Sequence, residues 1–233
     1  MSDVLPPKAV VFDLDGTLID SRGDIVAALN HALIATNRRP QTASKIVRLV
    51  GNGARALCAQ AAILPEDDPE TDELLRFFLD YYCAHPLEFT RWSPGALQAL
   101  DDLAEMDGIV IGLCTNKARE TTDAILAGLG IADRFAAVVA GGDLPERKPE
   151  PEPLLLTSKR LDVDPRTVVM VGDGVQDIEC AKAAGSWSIA VESGFTSTED
   201  LLAANPNAAV KDLSPVAGIV QRWREPTKNL KMR

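Results

Sequence analysis

Residues 9–21 read AVVFDLDGTLIDS, four apolar residues running into two carboxylates set two positions apart. An unbroken apolar run of this length matches a strand buried on both faces, as strands of parallel sheets are. Residues i and i+2 of an extended chain share a face. Asp13 and Asp15 therefore leave the strand side by side and repel unless a cation separates them. Gly16 follows directly and allows the backbone to turn sharply.

Working outward from this stretch, short apolar runs at Ala9–Phe12, Ile109–Cys114, Ala136–Ala140, Val168–Val171 and Ser188–Val191 alternate with helical patterns. The alternation predicts an α/β fold with a parallel sheet covered on both faces. Between Arg119 and Leu129 the apolar positions Ile125, Leu126 and Leu129 form one helical face, and Gly130 follows as a C-terminal stop. EPEPLLLTSKRL opens with prolines, where a missing N–H is harmless, and continues as a helix.

The stretch from Ser21 to Trp92 breaks this order, because it offers helical segments and no strand. Ile25, Leu29, Ala32 and Leu33 share one face, and ARALCAQAAIL and DELLRFFLDYY supply further amphipathic helices. The expected organisation is a Rossmann-like parallel-sheet core, 1–20 plus 93–233, interrupted by a small α-helical cap domain at 21–92. The basic, proline-interrupted end, about 222–233, is expected to be a flexible tail.

The chain has 233 residues, 46% of them hydrophobic and 25% charged, enough for a sizeable core. No apolar run approaches the roughly 20 residues of a membrane span. MSDVLPPKAV has neither the basic start nor the apolar centre of a signal peptide. A cytoplasmic location with no membrane partner is expected. A net charge of −10 argues against nucleic acid as a partner and leaves any anionic substrate to local features. Cys58, Cys83, Cys114 and Cys180 are widely spaced and read as reduced, structural thiols.

Three apolar runs end in polar residues: VVFDLDGT, VIGLCTNK and VVMVGDGVQD. Ligands of open α/β sheets collect at the carboxyl ends of the strands, so Asp13, Asp15, Thr115, Asn116, Asp173 and Asp177 are expected to converge. Several carboxylates in one place either take up protons or hold a hard divalent cation, and oxygen ligands select Mg²⁺. Singly the motifs are weak: Asp-Gly is a common turn, and Thr-Asn after a strand is a common helix cap.

Taken in order, DLDGTLIDS, the helical block, CTNK, RKPEPEPLLL and GDGVQDIECAKAAG resemble the haloacid dehalogenase superfamily with a type-one helical cap. The resemblance covers nearly the whole chain. It implies Mg²⁺-dependent hydrolysis of a phosphomonoester through an aspartyl-phosphate, with Asp13 as nucleophile and Asp15 as acid and then base. It further implies that Thr115 and Asn116 bind the transferring phosphoryl group while Lys148 neutralises its charge, Arg147 being a weaker choice for that cation. The metal would be held by Asp13, the Asp15 carbonyl and Asp173, with Asp177 a further ligand or a partner to one. Related sequences commonly carry serine after the aspartate and asparagine before the second one; here these positions are Gly174 and Gln176.

Within the superfamily, the GNGA stretch and the downstream motifs are similar to bacterial phosphoglycolate phosphatases, which implies 2-phosphoglycolate as substrate. Asn52 and the Gly53 N–H would then contact the leaving group, with Lys45 or Arg48 as the nearby cation. Substrate selection would rest with a lid that closes over the site. Pyrophosphatase, sugar-phosphate phosphatase and phosphomutase activities share the same core and remain alternatives. A non-catalytic binding module is a more distant one, as it would not need Asp13, Asp15, Lys148 and Asp173 together. The partner implied is a small phosphorylated metabolite, for a monomer or homodimer. His31 and His85 are expected to be structural or solvated.

Overall fold

In a computed structural model of the chain, residues 5–192 and 194–225 are described. In chain order the elements are β1 (Ala9–Phe12), β2 (Ile19–Asp20), α1 (Arg22–Ala35), α2 (Ala43–Val47), α3 (Ala54–Ala62), α4 (Pro69–Ala84), β3 (Arg91–Trp92), α5 (Ala96–Ala104) and β4 (Val110–Ala118). They continue with α6 (Arg119–Leu129), β5 (Ala137–Gly141), α7 (Glu152–Arg160), β6 (Val168–Gly172), α8 (Val175–Ala183), β7 (Trp187–Val191), α9 (Thr198–Ala203), β8 (Ala208–Val210) and α10 (Val216–Arg224).

Six strands form one parallel sheet in the order β5-β4-β1-β6-β7-β8. All four β1 residues are buried, as an apolar run without alternation requires. Successive strands run outward from β1 in both directions, which makes its carboxyl end a switch point where a crevice opens. Phe12 is level with Leu113 of β4 and Val171 of β6, so the three polar strand ends lie next to one another. The sixth strand, β8, was not expected from the sequence. Helix α6 ends as predicted, with Gly130 left-handed at φ 66°.

Helices α1 to α4 fall between β2 and β3, a two-residue antiparallel pair where the chain leaves and re-enters the sheet. Ile25, Leu29, Ala32 and Leu33 of α1 are all buried, and Leu74, Phe78 and Tyr82 of α4 join the same apolar cluster. The two crossing segments are fastened by Asp24, whose buried carboxylate accepts from the Phe89 N–H at 3.0 Å, the Thr90 N–H at 2.8 Å and the Thr90 hydroxyl at 2.6 Å.

The expected tail is corrected at its start: 222–224 form the end of α10, and Trp223 stacks on Trp187 with ring centroids 4.4 Å apart. A stacked aromatic pair outweighs the flanking charges that made this segment read as solvated. Positions 226–233 lie outside the described residues. No helix among the described residues is long and apolar enough to cross a membrane. All four cysteines are free thiols, three of them buried.

Asp24→Ala strands two buried N–H groups and a hydroxyl, and is expected to lower folding stability by about 2 to 3 kcal/mol. Urea unfolding with an unchanged m-value checks it.

Candidate active site

The loop after β1 turns at Gly16, φ 84°, where a Cβ would lie 2.3 Å from Asp173 Oδ2. Only glycine allows Asp173, at the end of β6, to approach that closely. Asp173 is then held by its oxygens, Oδ1 accepting from the Thr17 hydroxyl at 2.8 Å and Oδ2 from the Phe195 N–H at 2.7 Å. One carboxylate oxygen from each of Asp13, Asp173 and Asp177 lies within 4.8 Å of the others.

The charge among them is Lys148, 1% exposed. Its ammonium donates to Asp177 Oδ1 at 2.6 Å and to the Cys114 carbonyl at 2.7 Å, and stands 3.0 Å from Asp13 Oδ1. Burial works against the Lys148 charge, yet Asp13 and Asp177 more than offset it and raise its pKa. Asp177 accepts a second bond from the Gly174 N–H at 3.0 Å. Both Asp177 oxygens are therefore engaged, and its placement is that of a brace on Lys148 and on the loop after β6. Arg147 points elsewhere, in a forked pair with Glu66 at 2.7 and 2.9 Å, and is not the cation of this cluster.

One lysine does not balance three carboxylates. Burial pushes the Asp173 carboxyl well above the ordinary range, and the charges of Asp13 and Asp177 add to the shift. Asp13 Oδ1 is buried and accepts no hydrogen bond, the Lys148 contact being an ion pair off the hydrogen-bonding line. A hard, oxygen-seeking divalent cation fits such a donor set, with an orphaned anionic oxygen facing two further carboxylates.

Asp15 points away from this cluster. Its oxygens accept from the Ser21 hydroxyl at 2.6 Å and from the Lys117 ammonium at 3.0 and 3.1 Å. Lys117 also donates to the Tyr82 hydroxyl at 2.8 Å, so a buried cation ties the carboxylate to α4. Asp15 and Tyr82 hold its pKa up against burial. Burial in turn drives the Tyr82 phenol to about 12. Sequence reading quoted this lysine within CTNK and gave it no role. Its inward placement follows from the structure: β4 loses regular register between Cys114 and Ala118, and such irregularities re-aim side chains beside sites.

Thr115 is buried in the cavity wall, where its hydroxyl accepts from the Lys117 N–H at 3.2 Å. Asn116 differs from expectation. Its carbonyl oxygen accepts from the Lys148 N–H at 2.9 Å, and its amide nitrogen donates to the Lys148 and Gly51 carbonyls, each at 2.9 Å. These bonds place the Lys148 loop and seat the Gly51 turn, and they engage the side-chain amide of Asn116, which still lines the site cavity.

The cavity over Asp13 and Asp15 encloses about 50 Å³, and its wall includes Gly51, Gly53, Tyr82, Thr115, Lys117 and Gln176. Gly53 lines this cavity. Asn52 is exposed and lines a neighbouring cavity of about 520 Å³. Lys45 and Arg48 are exposed and line neither cavity. The turn thus presents backbone to the site, and the buried cation comes from β4 in place of a cap residue.

A sheet whose central strand delivers an aspartate to a lysine and two further aspartates defines a hydrolase of the phosphatase type. Residues 10–191 match the haloacid dehalogenase-like hydrolase family, and the chain belongs to that family. It is 40% identical over 197 residues to a phosphoglycolate phosphatase of Rhodospirillum rubrum, covering 82% of this chain and 81% of the relative. It is 38% identical over 194 residues to an N-acetylmuramic acid 6-phosphate phosphatase of Pseudomonas aeruginosa, covering 83% and 85%. The crystal structure of a predicted phosphoglycolate phosphatase from Haemophilus somnus superposes with a TM-score of 0.84 at 27% identity, over 93% of this chain and 99% of the other.

The raised Asp173 pKa sets a pH dependence for protein stripped of metal. A carboxyl that binds its proton more tightly folded than unfolded contributes stability below the raised pKa and loses it as pH climbs from the ordinary carboxylate value through the raised one. Tm in EDTA is expected to fall between pH 5 and 8 as this contribution is lost. Mg²⁺ at about a hundred times its Kd should raise Tm by about 5 to 10 °C at the upper pH, and by less at the lower. Calorimetric scans at both pH values check it.

Proposed function

We propose that the chain is a Mg²⁺-dependent phosphatase that converts 2-phosphoglycolate to glycolate and phosphate, with the phosphoryl group passing through Asp13. The observation that carries the choice of leaving group is the cavity of about 50 Å³ walled by the buried cation Lys117. That ammonium donates to both Asp15 oxygens and to Tyr82, and its positive charge at the cavity wall attracts a carboxylate. A two-carbon acid is short enough to place one beside it. The phosphoglycolate phosphatase of Rhodospirillum rubrum at 40% identity supports the same substrate.

In this reading Asp13 attacks phosphorus in line, with the Lys148 ammonium 3.0 Å from its Oδ1 to aim it. Thr115 and Lys148 meet the charge on the transferring oxygens. Asp15, its direction fixed by Ser21 and Lys117, hands a proton to the departing glycolate oxygen. It then takes one from the water that opens the aspartyl-phosphate. Asp13, Asp173 and the Asp15 carbonyl would hold Mg²⁺, with Asp177 bracing the set; the ion supplies neutralising charge to the phosphoryl oxygens.

Residues 21–92 act as the cap and 1–20 with 93–233 as the core, the Gly51 turn and Tyr82 closing against the core to exclude water. The enzyme works in the cytoplasm as a monomer or homodimer. A larger sugar phosphate is the second reading. It is favoured by the cavity of about 520 Å³ that shares Gly53, Thr115 and Asn116 with the site, and by the Pseudomonas aeruginosa relative.

Phosphate release with Mg²⁺ is expected to give kcat/KM at least about tenfold higher for 2-phosphoglycolate than for N-acetylmuramic acid 6-phosphate, pyrophosphate, hexose phosphates or nucleotides. A lead of that size for any of the others removes the glycolate assignment.

A further inference from the structure

In the loop after β6, Gly174 and Gln176 are fitted to one another. A Cβ at Gly174 would lie 1.9 Å from Gln176 Nε2 and 2.3 Å from Cδ. The glutamine carboxamide thus fills the volume that a side chain at 174 would take. Its other side rests against the cap turn, where a Cβ at Gly51 would lie 3.1 Å from the same nitrogen. Gln176 is threaded between two glycines, one from the loop after β6 and one from the turn before α3.

The half-buried Gln176 also lines the cavity that holds Asp13, Asp15 and Lys117. Its carboxamide has no hydrogen-bond partner among the described residues. The amide is open to solvent, and a side chain that lines a ligand cavity with its donors unspent is suited to pair with the ligand. Gly174, with no side chain, leaves the space that this amide occupies, and the amide reaches from there toward the cap turn.

We propose that Gln176 is a specificity-determining residue whose carboxamide donates to the carboxylate of the leaving group, alongside the ammonium of Lys117. The assignment rests on the 2-phosphoglycolate reading for the identity of that carboxylate. A hydrogen bond to a charged group corresponds to about 10- to 100-fold in an equilibrium or rate. That loss should fall on substrates with an acidic leaving group and spare those without one.

The test compares kcat/KM for 2-phosphoglycolate with that for p-nitrophenyl phosphate, which has no carboxylate. Gln176→Ala is expected to lower the ratio of the two about 10- to 100-fold, and Gln176→Glu to lower it further by repelling the acid. Gly174→Ala, which puts a Cβ into the amide's place with Gln176 still present, should lower the ratio in the same direction. A ratio within about twofold of the parent in both Gln176→Ala and Gly174→Ala overturns the proposal, whatever happens to Tm. If the parent prefers another phosphomonoester, the same ratio is taken with that substrate. A selective loss then keeps Gln176 as a leaving-group contact while the glycolate reading falls, and no selective loss removes both.

Discussion

The fold depends on an electrostatic constraint at the carboxyl end of one strand. Asp13, Asp173 and Asp177 are buried within reach of one another, and among the described residues Lys148 is the cation paired with two of them. A buried ammonium so placed costs a large desolvation penalty, which its attraction to two carboxylates and its bond to the Cys114 carbonyl must repay. The lysine nonetheless neutralises one charge among three. What remains is an excess of acidic groups beside a cavity, the condition that suits a divalent cation.

Around that centre, most contacts arrange other groups. Asn116 spends its whole side-chain amide on the backbone of the Lys148 loop and of the Gly51 turn. Tyr82 reaches from α4 to Lys117, and Lys117 to Asp15, so a helical segment is joined to a proton-carrying carboxylate through two hydrogen bonds. Glu66 and Arg147 make a further, partly exposed link between the helical segment and the core; pairs of that kind contribute little energy and mainly favour one orientation. The helices over the sheet are held by contacts that include the groups expected to do the chemistry, so the bonds that seat the helices also orient those groups.

Much of this was legible from residue order alone. The central strands announce themselves as apolar runs because burial on both faces leaves no polar positions, and their ends stood out as the places where charge begins. β8 left no such mark, since Ala208–Val210 is three residues long and only Val210 is buried. Lys117 was hidden for a different reason. A lysine after Thr-Asn reads as surface charge, and its burial depends on a break in register and on Tyr82, distant in the chain. For the GNGA turn the sequence pointed to a side chain, Asn52, whereas the structure turns backbone groups of Gly51 and Gly53 toward the core. Glycine carries no pattern that says which of its neighbours faces inward. Nothing in the sequence relates Gly174 to Gln176; the fold brings the amide of one into the space left by the other.

The central claim is that the carboxylate at the end of β1 carries the phosphoryl group. Rapid acid quench during turnover of 2-phosphoglycolate with Mg²⁺, followed by proteolysis and mass spectrometry, tests it directly. The account predicts one added phosphoryl group on the peptide containing Asp13, formed no more slowly than phosphate is released and absent from Asp13→Asn. Steady phosphate release with that peptide unmodified at every quench time, or undiminished release by Asp13→Asn, would contradict it.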